Sequence, residues 1–355
     1  MRTIRDENTG KWKVDYTYVD WLGNRKRSTK RGFATKREAE EWGRSFLAQK
    51  QADNTMTFGD FLEVYYEDME ARLKEHTMIS KKYVIDLKVL PYFKDMKLSD
   101  IKASTVRKWQ NELMKKNYSD TYLKSINNQL SAILNHAVRF YELKSNPCRK
   151  AGSMGKGQAD DMEFWTKEEF DTFIEHMMDK HTSYLAFSTL YWTGMRIGEL
   201  LALTPADVDV NKKTISITKS YQRLKSRDVI TEPKTQKSKR TISIPSFLVA
   251  DYEDYFTRIY NFDVNSRIFN VTKGYLSSEM RRGVKESGVK KIRLHDLRHS
   301  HASHLIELGF TPVAIAERLG HEKVETTLNT YVHLYPNKQN EIADKLDAEY
   351  NEEAD

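Results

Sequence analysis

Residues 123–140 read Leu-Lys-Ser-Ile-Asn-Asn-Gln-Leu-Ser-Ala-Ile-Leu-Asn-His-Ala-Val-Arg-Phe, and their apolar members recur every three or four positions. This spacing predicts an amphipathic α-helix with one apolar face. The face comprises Leu123, Ile126, Leu130, Ile133, Leu134, Ala137 and Phe140. Similar patterns around Phe61 and Trp109 extend the helical signal from about residue 57 to residue 143. We therefore predict an all-α domain over residues 56–149.

The head of the chain, residues 1–55, has a different pattern. Residues 12–20 alternate as a half-buried strand does, Gly23-Asn24 favours a hairpin turn, and residues 25–31 predict a second strand. The capping-box spacing that begins at Thr35 then opens a helix. The head is predicted to be a small antiparallel sheet backed by one helix, an α+β domain.

Charge is unevenly distributed along the chain. The formal net charge is +7, and the head holds thirteen Lys or Arg against eight Asp or Glu, a local charge of +5. A basic head indicates a polyanionic partner. The tail, residues 342–355, holds six acidic residues and one lysine, and places Ile342, Leu346 and Tyr350 on one helical face. That face either packs within its own chain or docks on a neighbouring protomer.

Composition excludes several classes of protein. The single cysteine, Cys148, excludes a disulfide framework and a multi-cysteine zinc site, and it fits a reducing compartment. No stretch approaches the ~18 apolar residues of a membrane span, and no apolar run follows the charged N-terminus. We therefore expect a soluble, cytoplasmic protein with no membrane contact.

A third domain follows a glycine-punctuated segment, residues 150–160, that we interpret as a linker. A second capping box at Thr166 opens helices that extend to about Leu203. Strand-like alternation at residues 214–218 and 241–244 predicts a small antiparallel sheet before helices resume. Residues 161–341 are thus predicted to form a mixed, mostly helical domain, and the whole chain to be multidomain and mainly α.

Arg196 and Glu199 stand three residues apart in an apolar segment, with Gly194 and Gly198 beside the arginine. Taken alone, the two charges fit an ordinary i,i+3 ion pair on a helix surface. The flanking glycines instead indicate that another group approaches the backbone closely.

The segment Leu294–His304 is rich in histidine. His295 and His299 are four apart, as helical zinc ligands often are, but no glutamate completes an HExxH motif and no cysteine is near. We therefore predict no metal. His295 and Arg298, three apart, present an imidazole and a guanidinium to one anion, and a planar guanidinium matches phosphate oxygens.

Two further motifs lie near the end of the chain. Leu319-Gly320-His321 is followed ten residues later by Tyr331. The segment that begins at Ala314 also fits a helix-turn-helix reader of DNA, and a lone tyrosine near a C-terminus is often a packing residue.

Together these motifs resemble the signature of the tyrosine recombinase (phage integrase) family. The resemblance includes a basic stretch, Pro233–Arg240, in which Lys234 aligns best with the family's lysine and Lys237 and Lys239 are the alternatives. It covers nearly the whole chain. The head is similar to the arm-binding domain of temperate-phage and conjugative-transposon integrases, and the middle to the core-binding domain.

The resemblance implies a metal-independent and ATP-independent enzyme without a cofactor, which breaks and rejoins DNA through a 3′-phosphotyrosyl link. Its implied residue roles are a phosphate clamp of Arg196 and Arg298, hydrogen-bond donors His295 and His321, the nucleophile Tyr331, the general acid Lys234 and an orienting Glu199. His295 is also the expected acceptor of the tyrosine proton. The expected DNA-binding residues are Arg25, Lys26, Arg27, Lys30, Arg31, Lys237, Lys239 and Arg240.

The implied partners are double-stranded DNA with core-type and arm-type sites, three further protomers in a homotetramer, an excisionase and a DNA-bending host factor, all in a bacterial cytoplasm. Three alternatives stay open at this point. They are a type IB topoisomerase, a recombinase limited to resolution or inversion, and a non-catalytic helix-turn-helix regulator. The regulator leaves Arg196, Arg298 and Tyr331 unexplained.

Overall fold

The computed structural model describes residues 1–7, 9–19, 25–53, 56–141, 143–157, 162–233, 236–258 and 263–334. The chain divides into two compact units, Met1–Asp160 and Asp161–Asp355. It is mainly helical with small antiparallel sheets, as the sequence predicted. Within the described ranges, no helix combines the length and the apolarity needed to cross a bilayer.

The first unit begins with a three-stranded antiparallel sheet of order β1-β2-β3, covered by helix α1. The elements are β1 (Arg2–Arg5), β2 (Trp12–Val19), β3 (Arg25–Phe33) and α1 (Lys36–Asp53). Val14 and Tyr16 on β2 are buried, and the Tyr16 ring contacts Trp42 and Phe46 of α1. The predicted Gly23-Asn24 turn lies outside the described residues.

A helical body follows in the same unit. It consists of α2 (Phe58–Glu70), α3 (Glu75–Lys88), α4 (Leu90–Phe93), α5 (Ala103–Met114), α6 (Asp120–Phe140) and α7 (Pro147–Ala151). The predicted stripe on α6 is buried from Leu123 to Ala137. Phe140 departs from that prediction because it lies in the last turn of α6, where its side chain is 60% exposed.

The predicted linker is partly integrated into this helical body, which corrects the sequence analysis. Arg107 and Gln110 of α5 donate hydrogen bonds to the carbonyl oxygens of Ala151 and Gly152 at 3.0 and 2.8 Å. Met154 is buried in the same core. Residues 150–154 are therefore fixed by packing and backbone hydrogen bonds rather than free, and residues 158–161 lie outside the described part of the chain.

The second unit is built around α9 (His181–Thr193), a helix buried along most of its length. The helices that precede α9 or follow it are α8 (Lys167–Glu175), α10 (Ile197–Leu200), α11 (Ser246–Arg258), α12 (Lys273–Ser287), α13 (Asp296–Glu307), α14 (Pro312–Leu319) and α15 (Val324–Tyr331). The predicted capping box is confirmed, since Thr166 and Glu169 satisfy each other's backbone N–H groups at the start of α8.

Two small antiparallel sheets complete this unit. One has the order β4-β5-β8, formed by β4 (Val208–Asp209), β5 (Thr214–Ile217) and β8 (Arg240–Ser243). The other is the hairpin of β6 (Ser220–Leu224) and β7 (Arg227–Thr231). The predicted pairing of the strands near 214 and 241 is confirmed by the register Ile215↔Ile242.

The basic stretch Pro233–Arg240 is not itself the described hairpin. The β6–β7 hairpin turns earlier, at Lys225 and Ser226, whose φ angles are 46° and 66°. The basic stretch connects β7 to β8 and contains a 3₁₀ turn at Gln236–Ser238. Residues 234–235 lie outside the described residues, as do residues 335–355 with the predicted tail.

Candidate active site

A glycine interrupts the helix that the sequence analysis expected to continue to about Leu203. Helix α9 ends at Thr193 and is capped by Gly194, which has a φ of +65°; a Cβ at Gly194 would lie 2.5 Å from the His301 ring. Only glycine fits such a place. The chain then turns through Arg196, which caps the short helix α10 and donates its backbone N–H to Glu199 Oε2 at 2.9 Å.

Glu199 is a buried carboxylate held between two arginines. Arg196 Nη1 donates to its Oε1 at 2.8 Å, and Arg240 Nη2 donates to its Oε2 at 3.0 Å. Burial alone would raise the pKa of Glu199, but the charge and hydrogen bond of Arg240, followed by those of Arg196, outweigh it and lower the pKa below its ordinary value. Glu199 therefore fixes Arg196, whose side chain stays 39% exposed and faces outward.

Arg240 lies inside the protein, although the sequence analysis assigned it to DNA binding. Its side chain is 7% exposed, and besides Glu199 it donates to the carbonyl oxygens of Arg318 and Ser238 at 2.8 and 3.1 Å. Gly320 accommodates this arginine, because a Cβ there would lie 3.0 Å from Arg240 Cδ. Because these contacts occupy the Arg240 guanidinium inside the protein, they favour a role in positioning Glu199 over a direct contact with DNA.

Arg298 joins two distant turns of the chain. It is almost fully buried, and its Nη1 and Nη2 atoms donate to the carbonyl oxygens of Gly194 and Leu319 at 2.9 and 2.8 Å. Each carbonyl lies two residues before a predicted site residue, Arg196 or His321. Among the described contacts, these bonds use two of the five N–H donors of the guanidinium. Burial, and then the charge of Arg196, lower the pKa of Arg298 to about 9, so it is cationic at neutral pH.

The two predicted histidine donors stand on either side of Arg298 in the chain. His295 is the N-cap residue of α13, and one edge of its ring is exposed. Partial burial of the ring, followed by the charge of Arg298, lowers the pKa of His295. His321 shares a 2.7 Å hydrogen bond through Nδ1 with Thr327 Oγ1, and burial followed by Arg298 lowers its pKa to about 4. Both rings are neutral at pH 7, so each offers one N–H donor.

Tyr331 is the last residue of α15, and its side chain is 1% exposed. Its hydroxyl lies 2.6 Å from His299 Nδ1. Burial raises the pKa of Tyr331, and the charge of Arg298 opposes that rise. The sequence analysis missed His299 as a tyrosine partner, because the only signal was its spacing from His295, which was weighed as a zinc motif.

The predicted residues therefore converge. Arg196, Arg298 and Arg240 all lower the pKa of His321, and the Arg298 and Tyr331 charges act on each other. Two cations, two neutral imidazoles and a phenol together suit an anion that is attacked by the phenol. In the described part of the chain, no group of three or more histidine, cysteine or carboxylate side chains is placed to bind a metal.

The lysine assignment falls partly outside the described residues, since Lys234 lies there. Both alternatives have protein partners. Lys237 Nζ donates to the carbonyl oxygen of Glu322 at 3.0 Å, and Lys239 Nζ donates to Glu232 Oε2 at 3.0 Å.

The predicted DNA-binding residues of the head fall on two faces of its sheet. Tyr18, Tyr16 and Val14, which point toward α1, pair with Lys26, Ser28 and Lys30. Val19, Thr17 and Lys13 pair with Arg25, Arg27 and Arg31. Because paired residues share a face, Lys26 and Lys30 are the helix-face lysines, whereas Arg25, Arg27 and Arg31 are the open-face arginines.

Three family models match consecutive parts of the chain. The arm DNA-binding domain matches residues 3–50, the N-terminal SAM-like domain of phage integrases matches residues 57–114, and the phage integrase family model matches residues 163–338. The ICEBs1 integrase of Bacillus subtilis is 30% identical over an alignment that covers 97% of this chain and 99% of that protein. The chain belongs to the phage integrase family.

Other relatives agree with this membership. A putative prophage phiRv2 integrase of Mycobacterium tuberculosis is 27% identical over 96% of this integrase and 93% of its own length. Among solved structures, a Tn1549 transposon integrase in complex with a circular intermediate DNA has a TM-score of 0.70 at 18% identity, covering 82% of this chain and 99% of that one. A lambda integrase tetramer bound to a Holliday junction has a TM-score of 0.61 at 16% identity, covering 95% and 93%. These two structures establish the fold.

The integrase is therefore a tyrosine recombinase, an enzyme of mobile DNA elements. Family membership rules out the non-catalytic regulator and favours recombination over topoisomerase activity. Helices α14 and α15 do stand one after the other as in a helix-turn-helix, but Tyr331 at the end of α15 is buried in the protein core.

Proposed function

We propose that this integrase cuts and rejoins double-stranded DNA at specific sites through a covalent 3′-phosphotyrosyl link to Tyr331. The main support is the position of Arg298. Its guanidinium bonds to the turn before Arg196 and to the turn before His321, so one buried cation links the two segments that carry the other proposed phosphate-binding groups.

The clamp would act on the charge that develops during the reaction. Attack on a phosphodiester concentrates negative charge on the nonbridging oxygens, and fixed donors stabilise that charge without reorganising. Arg196 and Arg298 supply guanidinium donors, and neutral His295 and His321 each supply one N–H. Glu199 keeps the Arg196 fork in place through a 2.8 Å bond.

The covalent step conserves the energy of the phosphodiester. Tyr331 Oη forms a bond to phosphorus while the bond to the 5′-oxygen breaks, and Lys234 gives that oxygen its proton. A 5′-hydroxyl of a partner strand then reverses the step, so strands are exchanged without ATP.

A nicked suicide substrate tests this function. The Tyr331→Phe variant is expected to bind core-site DNA as the wild type does and to form no covalent adduct. Tyr275→Phe is the matched control, because Tyr275 lies in the same unit, is 37% exposed and contacts Ser183 rather than the clamp. A covalent adduct that persists in Tyr331→Phe would refute the nucleophile assignment.

The head is proposed to bind arm-type DNA through the open-face arginines. Arg25, Arg27 and Arg31 lie on the sheet face that α1 does not cover, and all three are exposed. Lys13, paired with Arg31, adds a fourth positive charge to the open face, which also carries Asp15, and Arg31 Nη1 lies 3.7 Å from Asp6 Oδ2. A sheet with one open basic face can contact the phosphates and bases of a DNA groove.

Assembly and biological role extend the same proposal. We infer that four protomers act together on two DNA duplexes in a bacterial cytoplasm, integrating and excising a mobile element such as a prophage. The lambda integrase tetramer on a Holliday junction supports the stoichiometry. Excisionase and a DNA-bending host factor are the expected accessory partners that set direction.

A further inference from the structure

We propose that His299 is a catalytic residue, the base that accepts the proton of Tyr331 when the tyrosine attacks DNA. This inference rests on the proposed function, because it needs Tyr331 as the nucleophile. It replaces the sequence-based expectation that His295 accepts the proton. The assignment begins from the hydrogen bond that already joins the two side chains.

The geometry places the proton between its donor and its acceptor. Tyr331 Oη and His299 Nδ1 are 2.6 Å apart, a short distance for a hydrogen bond of this kind. General bases act at hydrogen-bond reach of the proton that they remove, at about 2.6–3.2 Å. The proton donor and the proposed acceptor are therefore already in contact in this structure.

The surroundings of His299 keep it neutral in the free protein. Burial is the main cause of its low pKa, about 4, and the nearby charges act in both directions. A neutral imidazole carries one ring proton and one free lone pair. The proposal assigns the ring proton of His299 to Nε2, so that Nδ1 carries the lone pair that accepts from the Tyr331 O–H. The titratable and charged groups that face His299 are His295, Asp296, Arg298, Arg293, His321 and Tyr331.

Bound DNA would favour the protonated form of His299, which the proton transfer from Tyr331 produces. A phosphate held by Arg196 and Arg298 adds negative charge beside a ring whose protonated form is otherwise disfavoured. An anion at this distance stabilises the imidazolium. His299 thus becomes a stronger base only when the scissile phosphate is bound.

His295 is less well placed for this role. Its ring lies against that of His299, with centroids 5.3 Å apart. Among the described contacts, the hydrogen bond of the Tyr331 hydroxyl is to His299 and not to His295. His295 has an exposed edge, which suits a donor to DNA rather than an acceptor from a buried phenol.

The proposed step balances as follows. The Tyr331 O–H bond breaks and its proton moves to His299 Nδ1, while Tyr331 Oη forms a bond to phosphorus. The bond from phosphorus to the 5′-oxygen breaks, and the general acid protonates that oxygen. On rejoining, the incoming 5′-hydroxyl restores the phosphodiester and His299 returns the proton to Tyr331.

The test is the pH dependence of covalent adduct formation with full-length integrase. The substrate carries a 5′-thio leaving group, which departs without a proton, so that the profile reports only on the tyrosine proton. His299→Asn is the key variant, because its side-chain oxygen can still accept a hydrogen bond near the Nδ1 position but cannot take a proton. His304→Asn is the matched control, because His304 lies on the same helix α13 and its ring contacts Tyr191 and Trp192.

The wild type and the His304→Asn control should show a nearly constant rate from about pH 7 to 9. The His299→Asn variant should be slower by about 10²–10⁴-fold at pH 7, and its rate should rise about tenfold per pH unit as solvent takes the proton. DNA binding by both variants should match the wild type.

Several results would overturn the assignment. One is a His299→Asn rate within about threefold of the wild type, which would make His299 a replaceable hydrogen-bond acceptor. Another is a faster variant, which would make the contact a latch that holds Tyr331 back. A wild-type rate that itself climbs tenfold per pH unit from about pH 7 to 9 excludes a base that is already unprotonated at pH 7, as His299 is proposed to be, and this measurement needs no variant to fold.

The outcome separates this inference from the proposed function. If the wild type forms no adduct, or if the adduct survives in Tyr331→Phe, the function itself fails. Suppose instead that the adduct depends on Tyr331, and that the rate of its formation rises about tenfold per pH unit in His295→Asn but not in His299→Asn. Then only the assignment of His299 fails.

Discussion

Replacing Arg240 with alanine removes a positive partner from a buried carboxylate. In the wild type, Arg240 is 7% exposed and Glu199 is 4% exposed, and their side chains meet at 3.0 Å. Leaving a buried charge with no partner costs about 3–5 kcal/mol, and because Arg196 stays paired with Glu199 at 2.8 Å, that cost is the upper bound here. For a unit of this size, each kcal/mol lowers the melting temperature by about 2–4 °C, so the second unit should melt earlier than in the wild type by up to about 20 °C.

The pH dependence of this loss follows from the pKa of Glu199. Because Arg240 and Arg196 hold that pKa below its unfolded value of about 4.3, the pair stabilises the fold above that pH. The contribution is lost as the pH falls through the folded pKa. In Arg240→Ala, the largest charge that lowers this pKa is lost while Arg196 remains, so the carboxyl pKa rises and the group stabilises the fold less at neutral pH. The gap between wild type and variant should therefore narrow as the pH is lowered toward 4.

Scanning calorimetry of the full chain measures both effects, and a double variant provides the control. Arg240→Met combined with Glu199→Gln removes both charges, so it should lose less stability than Arg240→Ala alone. The reasoning is wrong if Arg240→Ala melts within about 2 °C of the wild type and instead weakens DNA binding with a smaller salt slope. That result would return Arg240 to the DNA-binding role that its sequence suggested.

Three other predictions concern a glycine, the head and the proposed general acid. Gly320→Ala should lower stability more than Gly288→Ala, since both have φ near +70° but only at Gly320 does a Cβ meet another side chain, at 3.0 Å; thermal melting measures the difference. Removing two open-face arginines with Arg25→Ala and Arg27→Ala should weaken arm-site binding and reduce the salt slope by about 0.9 per lost phosphate contact, in titrations at several salt concentrations. The same change to the helix-face lysines should have a smaller effect. Lys234→Ala should cleave an ordinary substrate slowly but recover on a 5′-thio substrate, and failure to recover would move the acid role elsewhere.

The sequence predicted elements whose cause is local. The α6 stripe follows from helical spacing, and the start of α8 follows from the capping box at Thr166, so both could be predicted from neighbouring residues. The β6–β7 hairpin was missed because its turn lacks the usual sequence signal, Asn-Gly. Lys225 and Ser226 occupy the two positive-φ positions of this turn instead. Strand β1 was missed because it is four residues long and charged at both ends.

The candidate site was predictable as a set of residues but not as a set of contacts. The motifs identified Arg196, Arg298 and Tyr331, and the structure brings their turns together. The burial of Arg240 depends on packing between β8 and α14, which no local pattern reports. The partnership of His299 with Tyr331 depends on where α15 meets α13, and the two residues are 32 positions apart.

The two backbone bonds of Arg298 also bear on how the protein is made. One acceptor, the carbonyl of Gly194, is synthesised long before the arginine, and the other, at Leu319, is synthesised 21 residues after it. While residue 319 is still inside the ribosome, the guanidinium lacks one of its two anchors. A chain that is still being synthesised therefore has no complete active site until α14 and α15 have left the ribosome and packed.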